Sequence, residues 1–254
     1  MTTVISVHSF RGGTGKSNTT ANVGAQLAAG GARVAIVDTD IQSPGVHVLF
    51  GHEDPLEPAL NDYLWGKTNI ASAAHDVTDR VSRHMPVAEG GQLFLVPSSI
   101  KAGDIARVLR EGYDVGTLND GFRDLAKDLS LDYLLIDTHP GLNEETLLSI
   151  TISDVLLLIL RPDRQDFQGT AVTVDVARRL DVPNLLLVLN KVPSGIDFDD
   201  LREQMNGAYG AETVAMLPLS EQVVQNASGD LFSITNPEHV WSGEIRKIVA
   251  RVQD

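Results

Sequence analysis

The sequence predicts one α/β domain over residues 1–254, built on a single doubly wound, mostly parallel β-sheet flanked by helices. Three observations carry this. Short apolar runs recur along the chain, and helical patterns separate them. The runs are rich in Val, Leu and Ile with little alternation, as in parallel strands buried on both faces. No internal repeat, low-complexity tract or linker divides the chain.

Seven strands are expected: Val4–His8, Arg33–Asp38, Leu93–Val96, Tyr133–Asp137, Val155–Leu160, Leu185–Asn190 and Thr213–Leu217. Between and after them, helical spacing predicts Ser17–Ala29, Gly103–Leu109, Leu118–Leu129, Glu144–Ile150, Gln168–Leu180, Asp199–Met205 and Pro237–Val252. Asn143 and Glu144 are suited to cap the fourth of these helices. The stretch from His52 to Gly91 is the least regular, with one short helix expected near Asn61–Gly66, and it reads as a variable surface insertion.

Composition narrows the function. The chain has 254 residues, 43% of them hydrophobic, enough for a sizeable core. It has no cysteine, which removes disulfides, thiolate metal sites and cysteine nucleophiles. The net charge of −14 lowers the expectation of a nucleic-acid-binding face. The N-terminus lacks the charged lead and apolar core of a signal peptide, and no run reaches the length of a membrane span. A cytoplasmic location is the expectation.

In such sheets, ligands bind beyond the carboxyl ends of the strands. The first strand is followed by Phe10-Arg11-Gly12-Gly13-Thr14-Gly15-Lys16-Ser17-Asn18. Glycines here allow a sharp turn whose backbone N–H groups, with the next helix N-terminus, cradle phosphates. Lys16 is suited to the β- and γ-phosphates and the Ser17 hydroxyl to Mg²⁺. A chance Gly-Lys-Ser in a glycine-rich turn is the bland alternative. Placement directly between a strand and a helix decides against it.

This stretch resembles the deviant Walker A loop, K-G-G-x-G-K-[ST], of the ParA/MinD family of ATPases. Gly12, Gly13, Thr14 at the free position, Gly15, Lys16 and Ser17 match. Phe10 stands where ordinary phosphate loops carry a glycine, and the family also lacks that glycine. Arg11 replaces the signature lysine, which in the family reaches the phosphates of a partner subunit across an ATP-sandwiched dimer. The resemblance implies a P-loop NTPase fold of the Rossmann-like three-layer type. It also implies ATP/ADP and Mg²⁺ as ligands and a homodimer formed with ATP. Arg11 is expected to act in trans as a planar, charged clamp on phosphate oxygens. The alternative is a surface arginine and altered dimerisation.

The other strand ends extend the resemblance. Asp38-Thr39-Asp40 matches the family's D-x-D, which implies that Asp40 orients or activates the attacking water. Asp38 is left with two readings, a partner of Lys16 or part of the Mg²⁺ shell. Asp137-Thr138-His139-Pro140-Gly141 resembles the D-[ST]-x-x-G segment, with Asp137 holding Mg²⁺ through water and His139 at a free position without chemistry. Asn190 falls where the family reads adenine, and Pro193 stands where a guanine site would carry an acid. The loop at Pro218 covers the other edge of the base.

The implied function is an ATP-binding, slowly hydrolysing switch that forms an ATP-sandwiched dimer and positions or partitions a cargo. Its partners would be a second copy and an activator or cargo adaptor. A regulator or scaffold with little hydrolysis is the alternative, and a small-molecule ligase on the same fold is a third reading. Family members with cysteine-held iron-sulfur clusters are set aside for want of thiols. Non-specific DNA, through Arg161, Arg164, Arg178 and Arg179, and a membrane surface, through the last helix, are weakly supported. Interleaved acids break up the arginines. Ile245, Ile248, Val249 and Val252 form one face that suits the core better than a bilayer.

Overall fold

The computed structural model describes residues 1–254. Eight strands form one sheet: β1 (Thr3–His8), β2 (Arg33–Asp38), β3 (His75–Asp76), β4 (Gln92–Val96), β5 (Tyr133–Asp137), β6 (Val155–Leu160), β7 (Asn184–Val192) and β8 (Glu212–Pro218). Their order across the sheet is β3-β4-β2-β5-β1-β6-β7-β8, and every pair is parallel except β3 with β4. The helices are α1 (Lys16–Ala29), α2 (Val46–Leu49), α3 (Leu60–Leu64), α4 (Thr78–Ser82), α5 (Ala102–Glu111) and α6 (Val115–Asp128). They continue with α7 (Glu144–Thr151), α8 (Arg164–Arg179), α9 (Phe198–Tyr209), α10 (Glu221–Gln225), α11 (Phe232–Thr235) and α12 (Val240–Gln253).

Strand periodicity explains the three layers. Successive side chains point to opposite faces of a sheet, and here both faces are covered. Ile36, Leu93, Leu135, Leu157 and Val188 enter one core with α1, α11 and α12. Their strand neighbours Val37, Phe94 and Ile136 enter a second core with α6, and Leu158 and Leu189 a third with α8 and α9. That two-sided burial is the reason the strands show no polar alternation.

All seven expected strands and all seven expected helices are present. The α6 and α8 helices begin well before their expected starts at Leu118 and Gln168, because Asp114 and Asp163 cap them with their side chains. Asn143 caps α7 as expected, accepting from the Thr146 N–H at 2.8 Å. The stretch His52–Gly91 is not a surface insertion. It adds α3, α4 and the antiparallel edge strand β3, and it buries Leu60, Ile70, Val77 and Val81 in the two cores beside β2 and β4. Its end is clamped under α1: the Ala88 N–H donates to Ala29 O at 2.9 Å, and a Cβ on Gly91 would lie 2.2 Å from Ala28 O.

The last helix is core. Trp241, Ile245 and Ile248 are fully or almost fully buried against the sheet and α1. Three such burials contribute about 6 kcal/mol. That is comparable with the whole stability of a typical domain, roughly 5–15 kcal/mol. Lending this face to a bilayer would forfeit the fold. No helix is long and apolar enough to cross a membrane.

At the tip of β1 lies a buried titratable group, His8. Its Nδ1 is 2.7 Å from the Thr138 hydroxyl, which itself donates to Val7 O, so Nδ1 carries the proton and Nε2 has no partner. Burial, aided by the charges of Lys16 and His139, lowers its pKa to about 3.

Two outcomes are expected. Gly91→Ala forces the backbone off Ala28 and destabilises the fold by about 1–3 kcal/mol, read from thermal or denaturant melts. For His8, the unfolded imidazole takes a proton below pH 6.5 that the folded one refuses down to about pH 3. Its contribution to stability is therefore complete above pH 6.5 and declines on acidification, by about 2 kcal/mol at pH 5. His8→Leu removes this slope, and equal pH 5 to pH 7.5 losses in both proteins would refute it.

Candidate functional site

The site lies at the carboxyl ends of β1, β2, β5, β7 and β8, and begins with the loop Arg11–Gly15. Gly15 sits at φ +97° and forms the N-cap of α1. α1 has no side-chain cap and no acid in its first turn, whereas α6, α7, α8 and α9 are capped by Asp114, Asn143, Asp163 and Asp197. The donors that a helix leaves unpaired at its start are thus available to an anion. The buried Thr14 hydroxyl also lacks a partner.

Two cavities meet at this loop. One, of about 400 Å³, is lined by Gly12, Lys16, Ser17, Asp40 and His139 and has no hydrophobic wall. The other, of about 340 Å³, is lined by Asn190, Lys191, Pro218, Leu219, Val224 and Trp241. Gly13, Gly15 and Asn18 border both. A polar, amide-rich compartment joined to a half-apolar one has the shape and chemistry of a phosphate site joined to a base site.

β2 and β5 are neighbours, and their register sets Asp38 directly beside Asp137. Both are fully buried. Asp137 accepts from the Ser17 hydroxyl at 2.6 Å and from the Thr20 hydroxyl at 2.9 Å. Asp38 accepts from the backbone N–H groups of Asp40 and Gly45 at 3.0 and 3.1 Å. Burial raises the pKa of both carboxyls. The charge of Asp137 raises that of Asp38 further, while Lys16 and the two hydroxyls pull that of Asp137 back. Two buried carboxylates with a serine hydroxyl form a hard oxygen set that suits Mg²⁺. Asp38 shows no ion pair with Lys16; its oxygens face backbone donors.

Two positions beyond each strand end, Asp40 and His139 face one another. His139 Nδ1 lies 2.7 Å from Asp40 Oδ1. Sequence reasoning gave His139 no chemistry; the structure adds its contact with Asp40. The two lie at equal offsets from adjacent strands, which puts both side chains at one place once the strand order is known. Thr20 and Lys191 were also missed. Lys191, in a left-handed conformation at φ +58° beside an irregularity in the pairing of β7, donates from Nζ to Gly13 O at 2.8 Å.

Asn190 and Pro218 both line the second cavity. The Asn190 amide, however, binds protein: Nδ2 donates to Thr14 O at 2.8 Å, and Oδ1 accepts from the Lys191 N–H. A side chain at position 15 would strike that amide at 2.3 Å. Arg11 points away from the phosphate compartment of its own chain. Its Nη1 donates to Gln165 Oε1 and lies 3.9 Å from Asp166 Oδ1 on α8. Phe10 rests on Gly169 of the same helix, where a Cβ would meet the ring at 2.1 Å. Of the four arginines considered for DNA, Arg161 pairs with Asp163 and Asp166 and Arg179 with Asp175, Arg178 donates to Tyr209 O, and Arg164 forms no ion pair.

Comparison with known proteins agrees with this geometry. A family model described as ParA, an NUBPL iron-transfer P-loop NTPase, matches residues 1–253. An uncharacterized ATP-binding protein of Methanocaldococcus jannaschii is 28% identical over 224 residues, covering 87% of this chain and 76% of that protein. An iron-sulfur cluster carrier protein of Pseudomonas fragi is 26% identical over 258 residues, covering 92% of this chain and 79% of that one. The septum site-determining protein MinD of Pyrococcus horikoshii OT3, solved with Mg-ADP, shares the fold at a TM-score of 0.80 and 22% identity, covering 100% of this chain and 97% of its own. With the loop, the strand order and a family match from end to end, the chain belongs to the ParA/MinD family of P-loop NTPases.

Proposed function

We propose that the protein is an ATP-driven molecular switch: it binds ATP with Mg²⁺, pairs with a second copy across the nucleotide, hydrolyses slowly and in doing so positions a cargo. The observation that carries this is the uncapped start of α1 opening onto two joined cavities, with Asp40 on the wall of the phosphate side. In this reading the amides of Gly12 to Gly15 and Lys16 hold the phosphates. Ser17 and Asp137, with Asp38 behind them, hold Mg²⁺, which when bound offsets the charge of the transferring phosphoryl group. Asp40 orients the attacking water. Pro218 and Leu219 cover the base, and Asn190 turns from Thr14 to read its edge. The cargo of the iron-sulfur carrier relative is not carried over, because the chain has no thiol to hold a cluster.

Arg11 supports a second reading. Held on α8 by Gln165 and Asp166, it is restrained from reaching a partner's phosphates. A firm restraint would leave a nucleotide-binding scaffold that recruits a partner and hydrolyses little. An exposed pair of this kind is worth about 0.2–1 kcal/mol, too little to block dimerisation, so the switch is favoured.

Light scattering and phosphate release decide between the two. With ATP-Mg²⁺ the wild-type mass doubles, and with ADP it does not. Asp40→Ala keeps the dimer and loses hydrolysis by about 100-fold or more. Arg11→Ala stays a monomer. Equal mass with either nucleotide in all three proteins would sink the ATP-sandwich and leave the scaffold. Gln165→Ala frees Arg11 and lowers the ATP concentration for half-dimerisation by about 2- to 5-fold, the equivalent of the released contact.

A further inference from the structure

We propose that His139 is a positioning residue for hydrolysis: it fixes the Asp40 carboxylate so that one oxygen remains directed to the water. This rests on the reading of Asp40 above. Asp40 stands in the loop between β2 and α2, where a lone carboxylate would swing about two side-chain torsions. Its Oδ1 accepts twice, from His139 Nδ1 at 2.7 Å and from the Ser43 N–H at 3.2 Å. Oδ2 makes no hydrogen bond within the chain, and both side chains line the phosphate compartment with Lys16 and Ser17. One oxygen is anchored and the other left free, which is the arrangement a water-orienting carboxylate requires.

The backbone at His139 is tied to α7. Its carbonyl accepts from the Thr146 hydroxyl at 3.3 Å, at the start of α7 capped by Asn143. The anchor therefore belongs to the β5 side of the site while the carboxylate belongs to the β2 side. The contact ties the two loops that flank the γ-phosphate position into one unit. To donate to a carboxylate, Nδ1 carries its proton. The role needs a donor on Cγ and nothing else from the ring.

That requirement gives the test. In asparagine, Nδ2 hangs from Cγ as Nδ1 does in histidine, so His139→Asn keeps the donor in place and loses the rest of the imidazole. His139 is on a partly exposed loop, and melts of each variant confirm folding. His139→Ala is expected to lower single-turnover phosphate release about 10- to 100-fold, the cost of a misplaced group. Its affinity for a non-hydrolysable ATP analogue and its ATP-driven mass should stay those of wild type. His139→Asn recovers release to within about threefold of wild type. Wild-type release in His139→Ala, or no recovery in His139→Asn, would overturn the proposal, the latter by showing that the ring itself reacts. Loss of analogue affinity in His139→Ala would also overturn it, by making His139 a binding residue. Asp40→Ala is run alongside. If it hydrolyses like wild type, the reading of Asp40 fails and this inference with it. If it is dead while His139→Ala is not, only the inference fails.

Discussion

Two carboxylates with no access to water, Asp38 and Asp137, are the constraint around which the rest of the site is arranged. Burying one charge is expensive, and burying two side by side more so. The fold offsets this with specific partners. β2 lies next to β5, so the two acids end adjacent strands in register. The first turn of α1 then brings the hydroxyls of Ser17 and Thr20 onto Asp137. The chain after β2 bends back so that the amides of Asp40, Gly45 and Val46 face Asp38. That bend sets where Asp40 stands, and so the geometry of the loop after β2 follows from satisfying Asp38. The raised pKa values show that compensation is incomplete without further positive charge.

The unusual start of the phosphate loop has a packing answer. A bulky Phe10 in place of glycine needs room, and α8 provides it by having no side chain at Gly169. The same helix presents Gln165 and Asp166 to Arg11. Asp166 is almost fully buried and already bonded to Arg161 through both backbone and guanidinium, so its grip on Arg11 at 3.9 Å is secondary. Phe10 thus rests on Gly169 while staying partly exposed, and Arg11 is held weakly. Both contacts on α8 come from one Arg11 nitrogen, Nη1, so they hold the guanidinium loosely.

How much of this was legible in the sequence depends on whether the signal is local. The strands were, because burial on both faces writes itself as uninterrupted Val, Leu and Ile. The loop was, because Gly-Thr-Gly-Lys-Ser between a strand and a helix has few other uses. The pairing of Asp40 with His139 was not, since it depends on β2 and β5 being neighbours, and no local pattern states strand order. The His52–Gly91 segment misled for a related reason. Its core residues Leu60, Ile70, Val77 and Val81 are spaced too irregularly to show a period, yet the first two enter one core and the last two another. Asp114 and Asp163 fall just before the helices they cap, and the apolar spacing used to place those helices does not register a capping acid. Asn190 shows the opposite limit: its place on the cavity wall followed from the motif, but its hold on Thr14 is a contact between residues 176 apart.

The outer surfaces narrow the ways in which this molecule can meet another. Of the arginines on α8 and its approach, Arg161 and Arg179 are neutralised by Asp163, Asp166 and Asp175, in line with a chain of net charge −14. Attraction to a polyanion requires unpaired cations whose counterions can be released, and paired guanidinium groups have little to release. The apolar stripe of α12 is already under the sheet, so it has nothing left to give a bilayer. The apolar side chains that do remain exposed include Leu219 and Val224, and both lie on the rim of the cavity assigned to the base. Whatever covers those side chains also touches the lining of that cavity, so a partner at the rim and a ligand in the cavity would share residues. In the switch proposed above, those shared residues are where a partner would sense the ligand.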